Sequence, residues 1–146
     1  MSSTTGLYRF IEAQENSFDE ALAEIKAGRK KSHWMWYIFP QILGLGQSEM
    51  SKFYAIQNIR EAVSYLQHPV LGKRLILICH ELCKQGTNKA NAIFGGPDDL
   101  KLKSSMTLFS SLTKTDAVFE QVLAKFFNGS TDIRTLEIME EMKRNL

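Results

Sequence analysis

The chain has 146 residues, 44% of them hydrophobic and 23% charged, and 18 Lys and Arg stand against 16 Asp and Glu for a formal net charge of +2. That length and composition suit one globular domain whose core needs neither disulfides nor a structural metal, and they exclude an intrinsically disordered chain. The near balance of charge argues against a dedicated nucleic-acid or membrane-surface protein, which needs a strong basic excess.

Met1 to Gly6 is small and polar, lacks the basic-then-apolar layout of a secretory leader, and reads as a flexible tail. A first short helix is expected over Leu7–Gln14. Ser17-Phe-Asp-Glu20 has the pattern of a capping box, in which the serine accepts from a backbone amide and the glutamate reaches back. Phe18, Ala21, Leu22 and Ile25 then recur at helical spacing up to Gly28, a good C-terminal stop. Residues 29–47 break the pattern. They are strongly aromatic at their centre and punctuated by Pro40, Gly44 and Gly46, and so predict an ordered loop with at most a short helical turn.

Helical spacing resumes over Ser48–Ile56. Asn58-Ile-Arg-Glu61 caps the next helix, which stops near His68-Pro69. Val70–Gln85 follows, with Val70, Leu71, Leu75, Ile78, Cys79 and Leu82 as one buried stripe. A turn of helix over Lys89–Phe94 ends at Gly95-Gly96. Asp98 is the expected N-cap of a helix running to about Leu112, Thr115 that of a helix ending at Asn128-Gly129, and Thr131 that of the last helix, Asp132–Arg144. No segment alternates with period two. The expectation is an all-α, single compact domain over 1–146 with roughly seven or eight helices.

No apolar run approaches the roughly 20 residues of a membrane span. Cys79 and Cys83, one helical turn apart, do not make a disulfide framework, so reduced thiols in a cytoplasmic protein are expected. Cys79, His80 and Cys83 share a helix, but a closed zinc site draws four ligands from separate elements and no second cluster exists. No metal is therefore assigned. No P-loop, nucleophile elbow or dinucleotide fingerprint occurs, and no cofactor is assigned.

Two stretches are dense in groups that carry chemistry. The first, Gly28 to Gln41, holds Arg29, Lys30, Lys31, Ser32, His33 and both tryptophans, Trp34 and Trp36. Indoles can floor a pocket, lysines attract an anion, and an imidazole moves protons near neutrality. The bland alternative has the aromatic residues plugging the core and the cations solvated after a helix end. The second stretch, Ile93 to Phe109, contains Gly95-Gly96, the adjacent carboxylates Asp98 and Asp99, then Lys101, Lys103, Ser104 and Ser105. Here a glycine pair and a helix start can approach a ligand, and the acids suit proton transfer or a sugar hydroxyl. Its bland alternative is a capped helix with exposed ion pairs.

Ser-His-Trp-Met-Trp-Tyr-Ile-Phe-Pro-Gln at 32–41, Leu-Gly-Gln-Ser-Glu-Met-Ser at 45–51, His-Pro-Val-Leu-Gly-Lys-Arg-Leu at 68–75 and Pro-Asp-Asp-Leu-Lys-Leu-Lys-Ser-Ser-Met-Thr-Leu-Phe at 97–109 resemble the bacterial and fungal family called domain of unknown function 1810. The resemblance runs in order from about Leu7 to Leu136. It implies a small, mainly α-helical, cytoplasmic protein and brings no established reaction. It also implies that the two stretches meet in one pocket. Members are sometimes labelled calpastatin-like, a label at odds with this globular composition, because such inhibitors are long, polar and disordered.

Three functions compete. In the first, the protein is a hydrolase, transferase or binding protein for a phosphorylated or nucleotide-like small molecule. His33, Asp98 and Asp99 would then be catalytic, and Lys31, Ser32, Trp34, Trp36, Gln41, Lys101, Lys103, Ser104 and Ser105 would bind the ligand. In the second, it is a non-enzymatic interaction module with the Trp-rich loop as hot spot and a protein partner of unknown identity. In the third, both motifs form a polar core network. Exposure discriminates them: tryptophans lining a concave pocket with the acids support the first, and tryptophans on a flat patch support the second.

Overall fold

The computed structural model describes residues 6–145; the expected N-terminal tail, Gly6 apart, lies outside them. Among the described residues ten helices form: α1 (Tyr8–Glu15), α2 (Phe18–Lys26), α3 (Met35–Ile38), α4 (Glu49–Phe53), α5 (Ile59–Gln67), α6 (Leu71–Cys83), α7 (Ala90–Phe94), α8 (Asp98–Ser110), α9 (Ala117–Phe127) and α10 (Ile133–Arg144). The all-α expectation holds. All ten fall where a helix or helical turn was expected, and the count exceeds seven or eight because the three short pieces, α3, α4 and α7, four or five residues long, each form. Helical spacing around residue 50 stops at Phe53, and Ile56 instead pairs with Ile42 in an isolated parallel bridge. None of the helices described is long and apolar enough to cross a membrane.

Helix α6 is central, with α2, α5 and α9 packed around it, while α8 packs on α7, α9 and α10. The predicted stripe is buried at Leu71, Leu75, Ile78, Cys79 and Leu82, but Val70 precedes the helix and is exposed. Helices α5 and α6 approach so closely that a Cβ on Gly72 would lie 1.9 Å from the Leu66 carbonyl oxygen, so only glycine fits there. Burial raises the Cys79 thiol well above its ordinary pKa.

The helix ends follow local hydrogen-bonding chemistry. Asn58, Asp116 and Asp132 each accept a backbone amide from their first turns. Thus Asp116 and Asp132 cap where Thr115 and Thr131 were expected: a carboxylate accepts the amide, while the Thr115 hydroxyl donates to the Phe109 carbonyl. Ser17 makes no capping bond; its Oγ accepts from the Tyr37 hydroxyl at 3.0 Å. His68 takes an unforeseen role, with Nδ1 accepting from the amides of Val70 and Leu71 at the start of α6.

One buried charge crosses this framework. Arg9 of α1 meets both carboxylate oxygens of Glu61 at 3.0 and 3.1 Å and donates to the carbonyls of Gly6, Phe53 and Ala55. The guanidinium thereby clips α1 to α5 and to the segment after α4, and every contact satisfies a group that water cannot reach freely.

Candidate functional site

The site begins at the end of α2. Gly28, at φ 83°, turns the chain so that its amide donates to the Ile25 carbonyl and that of Arg29 to the Glu24 carbonyl, the paired bonds of a Schellman ending. The loop then curls back over the Glu24 side chain. That carboxylate accepts from the amides of Lys31 and Ser32 at 2.7 and 2.9 Å, from the Ser32 hydroxyl at 2.6 Å and from Trp34 Nε1 at 2.9 Å. Desolvation opposes its ionisation, but the four donors prevail and hold its pKa at about 2.

Lys30 reaches the other way. Its amide donates to Ile93 at the end of α7, and its ammonium donates to the Ser32 carbonyl and pairs with Asp98 at 2.9 Å. The lysine side chain is 8% exposed and lies over the Trp34 ring. Lys101, one turn along α8, pairs with the second oxygen of Asp98 at 3.5 Å, and its ammonium sits 5.6 Å from the Trp36 ring centroid. The two chemistry-dense stretches therefore meet, joined by one carboxylate held between two lysines.

The tryptophans part company. Trp34 is 1% exposed and packs against Phe39 and Phe94, so its ring belongs to the core. Trp36 is half-buried at the surface. Beyond the Lys101 contact opens a shallow depression of about 180 Å³, lined by Gln41, Leu45, Gly46, Pro97, Leu100, Lys101 and Ser104. Leu100 is 61% exposed at its edge.

The remaining site candidates are placed as follows. His33 and Lys31 are exposed on the loop. Asp98 starts α8 as its first residue, with Pro97 in the capping position and no side-chain cap. Asp99 accepts from Asn91 at 3.3 Å and from the Leu100 amide at 2.9 Å. Among the described residues, no hydrogen bond links His33 to either aspartate. Lys103 leaves this surface and lies over the Phe127 ring. Ser104 is buried and bonds back to the Leu100 carbonyl.

Ser105 is fully buried and its hydroxyl has no partner. Ser105→Ala is therefore expected to raise stability by about 1 kcal/mol, since an unpaired buried hydroxyl is lost and helix propensity improves. Urea unfolding checks this; a marked loss of stability would mean that the hydroxyl is satisfied after all.

Two members of the site went unseen in the sequence. Glu24 sits among ordinary helix glutamates, seven to ten residues before the groups it holds, and no spacing rule marks it. Leu100 had a visible signal: an apolar residue in the otherwise polar first turn of α8. Among the described residues, no group of three His, Cys, Asp or Glu side chains converges as a metal site. In particular, Cys79 faces Met106 in the core while His80 is exposed.

A family model described as "Protein of unknown function (DUF1810)" matches residues 4–139. The crystal structure of the conserved hypothetical protein Rv1873 from Mycobacterium tuberculosis is similar, with a TM-score of 0.89 and 42% identity over 92% of this chain and 96% of that one. No curated protein matches the chain.

Proposed function

We propose that this chain, which belongs to the family described as protein of unknown function DUF1810, is an interaction module rather than an enzyme, and that its working face is the surface around Trp36, Leu45, Pro97, Leu100 and Lys101. The observation that carries this is the shape of the depression at the junction of loop and α8. At about 180 Å³ it is smaller than the ~300–1,000 Å³ of sites that enclose small ligands, and it is open. It accommodates one protruding side chain of a partner better than a whole nucleotide.

The state of the acids and bases supports the same reading. Asp98 is held by Lys30 and Lys101, and Asp99 is occupied by Asn91 and the Leu100 amide. Neither forms the base–nucleophile or base–orienter pair expected of a general base. Trp36 and the exposed Leu100 are the kinds of anchor and neighbour that contact faces use. A reducing, cytoplasmic setting is part of the proposal and accords with the free thiols of Cys79 and Cys83.

The test is a pair of screens on the purified protein. Selection from a random peptide library is expected to yield binders that shift amide resonances of residues 36–39, 41–46 and 98–104 and that are lost in Trp36→Ala. A thermal-shift screen of nucleotides and sugar phosphates is expected to be flat. A small ligand present at about 100 times its dissociation constant stabilises a fold by ~2.7 kcal/mol. A hit of that size abolished by Trp36→Ala would replace this proposal with the enzyme or small-ligand reading.

A further inference from the structure

Resting on the interaction reading above, we infer that the partner is an acidic protein segment with an apolar side chain flanked by Asp or Glu, docked with that side chain in the depression beside Leu100. The sequence as a whole is nearly neutral, but its charges are not evenly engaged. At this end of the molecule Glu24 is directed inward by four donors from its own loop, and Asp98 lies between two lysines. These two carboxylates are thus used to build the loop, and the third acid here, Asp99, accepts from Asn91 and the Leu100 amide.

The cations are left over. Arg29 and Lys31 are exposed on the loop, and Lys89 is exposed at the start of α7, which the Lys30–Ile93 bond ties to the loop. None of the three has a carboxylate partner among the described residues. With Lys30 and Lys101 they give this end of the molecule five cations against the carboxylates of Glu24, Asp98 and Asp99, a local excess that complements a segment of negative charge although the chain as a whole is balanced.

The apolar part selects the class of polyanion. Leu100, Leu45 and Pro97 offer an aliphatic wall suited to a leucine or phenylalanine side chain. A nucleic acid would instead need aromatic faces for base stacking, and here Trp34 is buried while one face of Trp36 carries the Lys101 ammonium. The aliphatic wall favours an acidic peptide over single-stranded nucleic acid.

Fluorescence anisotropy with three labelled probes tests the inference on the full chain. The probes are a peptide with one leucine flanked by Glu and Asp, the same peptide with every carboxylate replaced by its amide, and a single-stranded oligonucleotide of equal charge. The acidic peptide is expected to bind, about tenfold more weakly when salt rises from about 50 to about 200 mM, and about tenfold more weakly to the Arg29→Glu/Lys31→Glu variant. Both substitutions fall on exposed side chains outside the Glu24 and Asp98 networks, and Leu100→Ala, also at an exposed site, is expected to weaken binding about threefold. Equal binding of the amide peptide would overturn the acidic partner and leave the interaction module standing. Tighter binding of the oligonucleotide would overturn it in favour of nucleic acid. No binding by any probe, together with a failed library selection, would overturn both readings.

Discussion

Replacing Glu61 by alanine is expected to lower the stability of the fold by about 3–5 kcal/mol, the range found when one partner of a buried ion pair is removed. The Arg9 side chain is 4% exposed and that of Glu61 13%, so the guanidinium left behind has little access to water. Glu61 also accepts from the Gln57 amide at 2.9 Å, which loses its partner at the same time. Urea unfolding followed by circular dichroism should show a lower midpoint with an unchanged slope. The double variant Arg9→Met/Glu61→Leu should recover part of the loss, because no uncompensated charge remains. Recovery should be incomplete, since the Phe53 and Ala55 carbonyls lose their donors as well. A loss below about 1 kcal/mol in Glu61→Ala would mean that the clip is solvated like an ordinary surface pair.

Glu24→Ala should be the most damaging single change at the candidate site, at about 2–3 kcal/mol. Of its four donors, Trp34 Nε1–H belongs to a buried ring and has no access to a water replacement, whereas the loop amides can be rehydrated in part. The loop should loosen, and Trp34 emission should shift to the red. The same carboxylate predicts a pH dependence. Its pKa is about 2 in the folded chain against an ordinary value of 4.5, so the folded state favours the charged form. Its contribution is therefore complete above about pH 4.5 and is lost as pH falls from there towards 2. Because the group is partly exposed, solvent screening reduces that contribution to about 1–2 kcal/mol. Wild type should lose more stability across this window than Glu24→Gln, in which position 24 no longer titrates while every other carboxylate is unchanged. Parallel curves for the two proteins would count against the network.

If Glu24 organises the loop from inside, disturbing it should also weaken any partner bound outside. The backbone that presents Lys31, and Arg29 two residues before it, is held to the Glu24 carboxylate through the Lys31 and Ser32 amides. The third function weighed from the sequence, a polar core network, is in this sense part of the same surface. Glu24, Lys30 and Asp98 build a scaffold, and the residues around them face outward.

The helices were legible because their determinants are local. Apolar residues recurring every three or four positions bury one face, and Asn58 and Gly28 end or begin helices by bonds to amides and carbonyls a few residues away. Sequence pattern also located the two stretches that form the candidate site. It did not resolve choices between neighbouring polar residues, as where Asp116 and Asp132 cap in place of Thr115 and Thr131.

The sequence by itself determined an all-α chain, the approximate span of its longer helices, and the concentration of cations, acids and indoles in residues 28–41 and 93–109. Tertiary structure alone decided what those groups do. Trp34 and Trp36 are two residues apart, yet one is buried against Phe94 and the other stays at the surface, because the short helix α3 turns them to different sides. Ser105 looks like a ligand contact in the sequence but faces the interior, since α8 is packed between α7, α9 and α10, while the largely buried Ser104 reaches only the floor of the depression. Asp98 meets Lys30, 68 positions earlier in the chain, and the exposed cations remain exposed because Glu24 turns inward. Hydrogen bonds and burial of this kind depend on distances between segments far apart in sequence, and those distances exist only once the helices have packed.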